Sequence, residues 1–442
     1  MMLRYFPLKH QKVLTLAIPA GINSLLDMLQ VITDLLMVGQ LSAFAVAAVG
    51  LGLQILMFVF ALLTLLHVGT SVVLSRFVGA RRYRYASFGL STLLHFAGIL
   101  SLVMMLLWYF FAPMLYVWFG TAMEVAHLGS IYVETLTWMM PFIFLKLVFV
   151  TALNASGDTK TPMFIKLGSI LLNLLLNYIL IFGHLGFPPL GVQGAAIGTV
   201  IVNGLELAMY TFLYMKGRMP YQPCRVFSLF LLKKALKVGI PASIERTLTF
   251  GSFMLFTIII TGYGTDVLAG YQIGLRIEGL AFMPGIGFTI AAMALMGQGL
   301  GAKNPERSRE DVILVLKYTI AFMFVLSFMM ILIPEKMVSL FTTDRATIQS
   351  ATLYLTIVGF SQIPLAFNFV LSGALRGAGD SKTTLKINLI SLWCVRIIPA
   401  WILSWYFHHV IWVYFAMIAD TFVKAIWLWY TFNKGAWQRV KV

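Results

Sequence analysis

The chain alternates between long apolar runs and short polar breaks, and each run has the length that crosses a hydrocarbon core of roughly 30 Å. Twelve such runs lie near 13–38, 45–75, 86–112, 123–150, 161–183, 191–215, 235–262, 268–297, 313–334, 346–373, 384–406 and 409–433. Each must be a helix, because lipid offers exposed backbone no hydrogen-bond partner. The alternating segments of about ten residues that a membrane β-barrel requires are absent. The pattern therefore predicts an all-α integral membrane protein with twelve transmembrane helices.

The polar breaks repeat. Ala152-Leu153 followed by Gly157-Asp158-Thr159-Lys160-Thr161 returns 222 residues later as Ala374-Leu375 followed by Gly379-Asp380-Ser381-Lys382-Thr383. The same shift carries Pro19-Ala20 onto Pro241-Ala242, Gly79-Ala80 onto Gly301-Ala302, and Tyr132 onto Tyr354. One register over so long a stretch indicates a gene duplication, an organisation typical of transporters. The spans divide six and six, predicting one lobe over 1–215, a polar connector over 216–234 and a second lobe over 235–442. The Gly-Asp-Thr/Ser-Lys-Thr loops read as turns, with Thr161-Pro162 as a helix cap and first-turn proline and Asp158 accepting nearby backbone N–H groups.

Charge fixes orientation. Only 11% of residues are charged, yet the formal net charge is +16. The cations gather in alternate loops, at Arg4, Lys9 and Lys12, at Arg81, Arg82 and Arg84, at Lys160, at Lys216, Arg218, Arg225, Lys233 and Lys234, at Lys303, Arg307 and Arg309, and at Lys382. Lys434, Arg439 and Lys441 close the series, while the opposite loops hold only Lys336 and Arg345. Lys and Arg are retained on the cytoplasmic side, so both termini are expected there, in an inner membrane, with no cleaved leader. The excess charge is accounted for by topology and anionic lipid, and nucleic acid is not an expected partner. Cys224 and Cys394 show no metal or pairing spacing, and His408-His409 reads as a solvated outer loop. No phosphate-binding Gly-x-x-x-x-Gly-Lys-Ser/Thr loop occurs, so neither an ATPase, another enzyme nor a cofactor is expected. Uphill transport would draw on an ion gradient.

Polar groups at membrane depth are the candidate chemistry. An intramembrane carboxylate costs at least about 2.5 kcal/mol and should face a partner or water. Asp27 and Asp34 lie two turns apart on one face of the first span, and Asn173 and Asn177 share a face of the fifth. Glu245, Arg276 and Glu278 lie in the seventh and eighth. The duplication serves as a control, since Glu245 aligns with Asn23, Glu278 with Leu56, Asp34 with Phe256, and the two asparagines with Val395 and Pro399. The scaffold is symmetric and its charge is not, so the lobes are expected to differ in task. Plainer readings stand beside these: hydration of Asp34 at a helix end, interhelical packing for the asparagines at about 0.6 kcal/mol per contact, and ion pairs of Glu245 or Glu278 with Arg246, Arg276 or Arg396. Glu206 and Asp420 are expected to be partnered within the bundle, and Pro141, Pro241, Pro284 and Pro364 are candidate hinges.

The segment Thr33-Asp34-Leu35-Leu36-Met37-Val38-Gly39-Gln40-Leu41, with Ala47-Ala48-Val49-Gly50 after it, resembles the opening of bacterial multidrug and toxic compound extrusion transporters. Ala152 to Pro162, Asn173 to Gly183, Ala269-Gly270-Tyr271-Gln272-Ile273 and Ala374 to Thr383 are similar to the same family. The resemblance implies two six-helix lobes related by a pseudo-two-fold axis, and alternating-access export of amphipathic, often cationic organic compounds in exchange for protons or sodium. It implies a cation site at Asp34, Asn173 and Asn177, where some members carry an aspartate at the position of Asn177. Asp27, Glu245, Glu278 and Arg276 are further candidates for coupling or substrate contact. The seventh-helix glutamate of many members would fall at Thr249, and Glu245, with Arg276-Ile277-Glu278, resembles another branch. A proton is preferred to sodium, since a lone carboxylate with two amides is a sparse sodium cage; a metal is not otherwise expected. The 24 Met, 35 Phe, 17 Tyr and 10 Trp suit adaptable pockets for small organic molecules. A monomer surrounded by lipid is expected. The alternatives are a flippase for lipid-linked saccharides, favoured by an arginine-rich cavity, and a channel or receptor with a continuous pore.

Overall fold

A computed structural model describes residues 7–118 and 120–440; Arg4 and Lys441, two of the cations read as cytoplasmic, lie outside them. Among the described residues there is no strand. The helices in order are α1 (Leu8–Gly39), α2 (Ala43–Gly79), α3 (Tyr83–Trp118), α4 (Met123–Thr137), α5 (Met140–Ser156), α6 (Lys160–Phe182), α7 (Gly191–Met215) and α8 (Leu229–Thr261). There follow α9 (Thr265–Gly301), α10 (Pro305–Leu332), the short α11 (Pro334–Ser339), α12 (Arg345–Gly359), α13 (Gln362–Gly377), α14 (Ser381–Ser391), α15 (Ile398–Phe407) and α16 (Val410–Lys434). Among the described residues ten helices are long and apolar enough to cross a membrane, or twelve where each of the pairs α4–α5 and α12–α13, bent by 51° and 57°, is counted as one span.

The bends fall at equivalent places, Trp138-Met139 and Phe360-Ser361. Pro141 and Pro364 sit just after them, in the first turn of α5 and α13, where a missing N–H leaves no helical bond unmade. They start second segments. Pro241 and Pro284 lie within unbroken helices. A distortion of another kind occurs before Pro399, where Leu392–Ile397 winds as π-helix between α14 and α15. Proline cannot donate to the carbonyl one turn back, and the widened turn accommodates it. The aligned position in the first half is Asn177, in a regular helix.

The duplication extends to backbone and packing. Arg81 and Lys303 both adopt left-handed φ, at 56° and 58°, as do Gly157 and Gly379, at 99° and 89°. A Cβ on Gly52 would stand 2.9 Å from the Tyr132 ring, and one on the equivalent Gly274 would stand 2.2 Å from that of Tyr354. In the repeated loops the carboxylates of Asp158, one residue before the N-cap Thr159, and of Asp380, itself the N-cap, satisfy the helix start. Asp158 accepts the Thr161 N–H at 3.0 Å and hydroxyl at 2.6 Å, and Asp380 accepts those of Thr383 at 3.3 and 2.8 Å. Thr161 is thus the capped residue, one place inside the helix, which corrects the reading of Thr161 as the cap.

Two compact units result: a first, Ile22–Gly239, and a second, Met1–Gly21 with Ile240–Val442. This differs from a division at 215 and 235, and the reason is close helix packing. The start of α1 belongs with the second unit, where a Cβ on Gly287 of α9 would meet the Ala17 carbonyl at 2.7 Å. The start of α8 belongs with the first, where a Cβ on Gly239 would meet the Leu65 carbonyl of α2 at 2.5 Å. These approaches are symmetry mates, Ala17 with Gly239 and Leu65 with Gly287. Charge anchors the α1 end, with Lys9 2.5 Å from Glu310, Lys12 3.6 Å from Asp311 and a 2.7 Å His10–Tyr318 hydrogen bond.

The connector is an extended strap that α3 holds. Ser87, Ser91 and Thr92, at helical spacing, accept the N–H groups of Gln222, Val226 and Ser228 at 2.8, 3.1 and 3.0 Å. Ser91 also donates to the Cys224 carbonyl at 2.9 Å, and Tyr221 reaches the Ala152 carbonyl at 2.7 Å. Side chains here satisfy a backbone that has no ladder of its own.

Candidate functional site

In the first unit two polar stripes face each other. On α1, Asp27, Gln30 and Asp34 recur at spacings of three and four and share a side; on α6, Lys166, Asn173 and Asn177 do so at seven and four. Asn177 Nδ2 donates to Asp34 Oδ1 at 2.6 Å and to Asn173 Oδ1 at 3.3 Å. Both asparagines are fully buried and Asp34 is half-buried. The structure thus brings Asp34, Asn173 and Asn177 together and turns the carboxylate toward α6. Packing alone leaves two atoms unexplained: Asn173 Nδ2 and Asn177 Oδ1 are buried without hydrogen-bond partners, and native packing contacts rarely leave such groups unmade. Gly198 of α7 keeps room beside one of them, since a Cβ there would lie 2.5 Å from Asn177 Oδ1.

Next to this triad lies a second group. Lys166 Nζ is 2.7 Å from Asp27 Oδ1 and donates to Gln30 Oε1 at 2.7 Å. Glu206 of α7 places Oε1 3.8 Å from the same ammonium and pairs through Oε2 with Lys146 of α5. Lys166 and Glu206 are buried, whereas Asp27 is exposed over more than half its side chain. Asp27 is therefore a lysine partner at the edge of the group. The expectation that Glu206 is partnered holds, and Lys146 faces inward while Glu134 is exposed.

The second unit holds a separate cluster. Glu245 of α8 accepts from Arg376 Nη2 at 2.5 Å, from the Thr384 hydroxyl at 3.0 Å and from the Asn388 amide. Glu278 of α9 accepts the Tyr354 hydroxyl at 2.6 Å. Asp420 of α16 takes Arg396 and Lys424 on one oxygen, each at 2.9 Å, and the Ser391 hydroxyl on the other at 2.5 Å. The pairing expected for Glu245 and Glu278 with Arg246, Arg276 or Arg396 is thereby corrected. Adjacent residues point about 100° apart around a helix, and residues two apart point about 200° apart, so Arg246 and Arg276 cannot share the faces of their neighbouring glutamates. Both are exposed, and the Arg246 guanidinium lies 4.6 Å over the Phe250 ring. Thr249 donates only to the Glu245 carbonyl, at 2.8 Å.

Lys166, Gln30, Arg376, Asn388 and Lys424 are the site residues that sequence reasoning passed over. Lys166 carried a usable signal, lying seven residues before Asn173 on the same face, as did Gln30 between the two aspartates. Arg376 carried none, because only the tertiary fold brings its long side chain from α13 to Glu245 of α8. Among the described residues no group of three His, Cys, Asp or Glu side chains could hold a metal ion.

A family model described as MatE matches residues 19–179 and again 241–402, the two copies of the repeat. A probable multidrug resistance protein NorM of Thermotoga maritima is 28% identical over 97% of this chain and 93% of its own length. The crystal structure of a MATE protein in complex with MaL6 superposes with a TM-score of 0.91 at 22% identity, covering 98% of each chain. The MATE transporter VcmN of Vibrio cholerae, in its bent form, gives 0.89 at 22% identity over 96% of each. At that identity the structural likeness is one of fold.

Proposed function

We propose, from the premise that this chain belongs to the MatE family of multi-pass membrane transporters, that it exports amphipathic organic compounds across a bacterial inner membrane in exchange for protons, by alternating access. Its relatives' names as multidrug resistance proteins support the substrate class. The observation that carries the coupling is the Asp34–Asn177 contact with its unpartnered amide oxygen.

An ionised Asp34 accepts the Asn177 N–H, as found. A protonated Asp34 carries a donor of its own, and the amide oxygen of Asn177, buried and without a partner, is the acceptor it needs. Proton binding thus exchanges one α1–α6 hydrogen bond for another of different direction. A ligand shifts a conformational equilibrium only through such differential contacts. The proton would favour the arrangement that releases substrate, and its departure would restore the arrangement that binds it. Of the three arginines that would favour a flippase, Arg396 is paired with Asp420, while Arg246 and Arg276 are exposed with no carboxylate partner in the glutamates beside them; the relatives' names favour export of organic compounds over that alternative.

Asp34→Asn is the direct test. In proteoliposomes loaded with ethidium and given an imposed pH gradient, the variant is expected to lose gradient-driven transport while remaining folded in detergent. Undiminished transport would remove Asp34 from the mechanism.

A further inference from the structure

Burial in an apolar bundle demands that charges be paired, and the polar cluster built by α1, α5, α6 and α7 in the first unit sets three carboxylates, Asp27, Asp34 and Glu206, against two lysines, Lys146 and Lys166. One negative charge is left over, enough for one monovalent cation. How the oxygens are distributed decides which cation. Lys166 Nζ sits among Asp27 Oδ1, Gln30 Oε1 and Glu206 Oε1, contributed by α1 and α7, at 2.7, 2.7 and 3.8 Å. The ammonium therefore occupies the point on which three oxygens from two helices converge, two of them carboxylate oxygens, where a bare cation would otherwise be drawn. What remains at Asp34 has one unpartnered acceptor, Asn177 Oδ1, since Asn177 presents N–H to the carboxylate and the Asn173 carbonyl is taken by Asn177.

We infer that Lys166 is the ion-selectivity residue of this transporter: its tethered ammonium fills the convergence of oxygens that sodium would otherwise enter, and it leaves at Asp34 a site that only a proton can use. The lysine acts as a built-in competitor, excluding the wrong ion by charge and occupancy instead of by a better fit to the right one. Lys146 does not replace it, because its contact is to the other oxygen of Glu206 and not to α1. This inference rests on the reading of the first unit as the coupling site, and it adds which residue sets the ion.

The test is ²²Na⁺ binding to the purified full-length protein in detergent, by scintillation proximity, for the wild type, Lys166→Met, Lys166→Gln and Lys166→Arg. The wild type and Lys166→Arg are expected to show no saturable sodium binding at millimolar concentration. Lys166→Met and Lys166→Gln, checked as monodisperse, are expected to gain it, with affinity up by at least about tenfold, or about 1.4 kcal/mol, and to lose it again on adding Asp27→Asn. Saturable binding to the wild type would overturn the inference, as would its absence from a folded Lys166→Met or Lys166→Gln. The readout needs no transport, so it is separate from the loss of ethidium export by Asp34→Asn.

Discussion

At the residue scale, what distinguishes the two halves is where charge has been placed on a shared backbone. Asp34 aligns with Phe256, Asn177 with Pro399, and Gly198 with Asp420. The first unit leaves a gap at Gly198 for the Asn177 amide, and the second fills the equivalent place with a carboxylate holding two cations. Gly198→Ala should therefore displace Asn177 and reduce pH-driven ethidium export severalfold while folding stays intact, a result checked by transport alongside size-exclusion chromatography. Glu245 gives a stability prediction. Removing one partner of a buried ion pair strands the other, at a cost of roughly 3–5 kcal/mol, whereas removing both is far milder. Arg376→Met should lower the thermal unfolding temperature in detergent clearly, and the double variant Glu245→Gln, Arg376→Met should recover most of the loss. Equal melting of the single variant and the wild type would show that the pair is not structural.

Elements explain how those residues are held. The long helices are defined by hydropathy, and their ends by capping contacts that the repeat copies, at Asp158 and Asp380 and in the left-handed Arg81 and Lys303. The bends of the fourth and tenth spans occupy matching positions although the prolines near them are one residue out of register, so the break belongs to the repeat and proline only tolerates it. The strap after α7 shows how a polar connector becomes ordered. Each hydrogen bond it makes to Ser87, Ser91 or Thr92 contributes about 1 kcal/mol, close to a factor of five in local opening. Ser91→Ala with Thr92→Ala should accordingly speed tryptic cleavage at Arg225, an exposed strap residue, by an order of magnitude. An unchanged cleavage rate would mean that the strap is held elsewhere.

For the whole molecule the prediction is energetic: imposed pH gradients should drive ethidium export by the wild type, and sodium gradients at matched pH should not. Fusions at the C-terminus should report a cytoplasmic location, with a fluorescent protein maturing there and alkaline phosphatase remaining inactive. The sequence alone determined the all-α membrane class, the duplication, the number of spans and the list of costly polar groups, because hydropathy and repetition are properties of the linear chain and, with barrel-type alternation absent, lipid leaves the helix as the backbone solution. It also brought Asp34 and the two asparagines to notice, since helical spacing puts such residues on common faces. Only the tertiary structure decided which faces meet. It paired Glu245 with Arg376 and not with its neighbour Arg246, put Lys166 between α1 and α7, and assigned the first turns of α1 and α8 each to the unit of the other half. These are outcomes of helix packing between segments far apart in sequence, and no local periodicity records them.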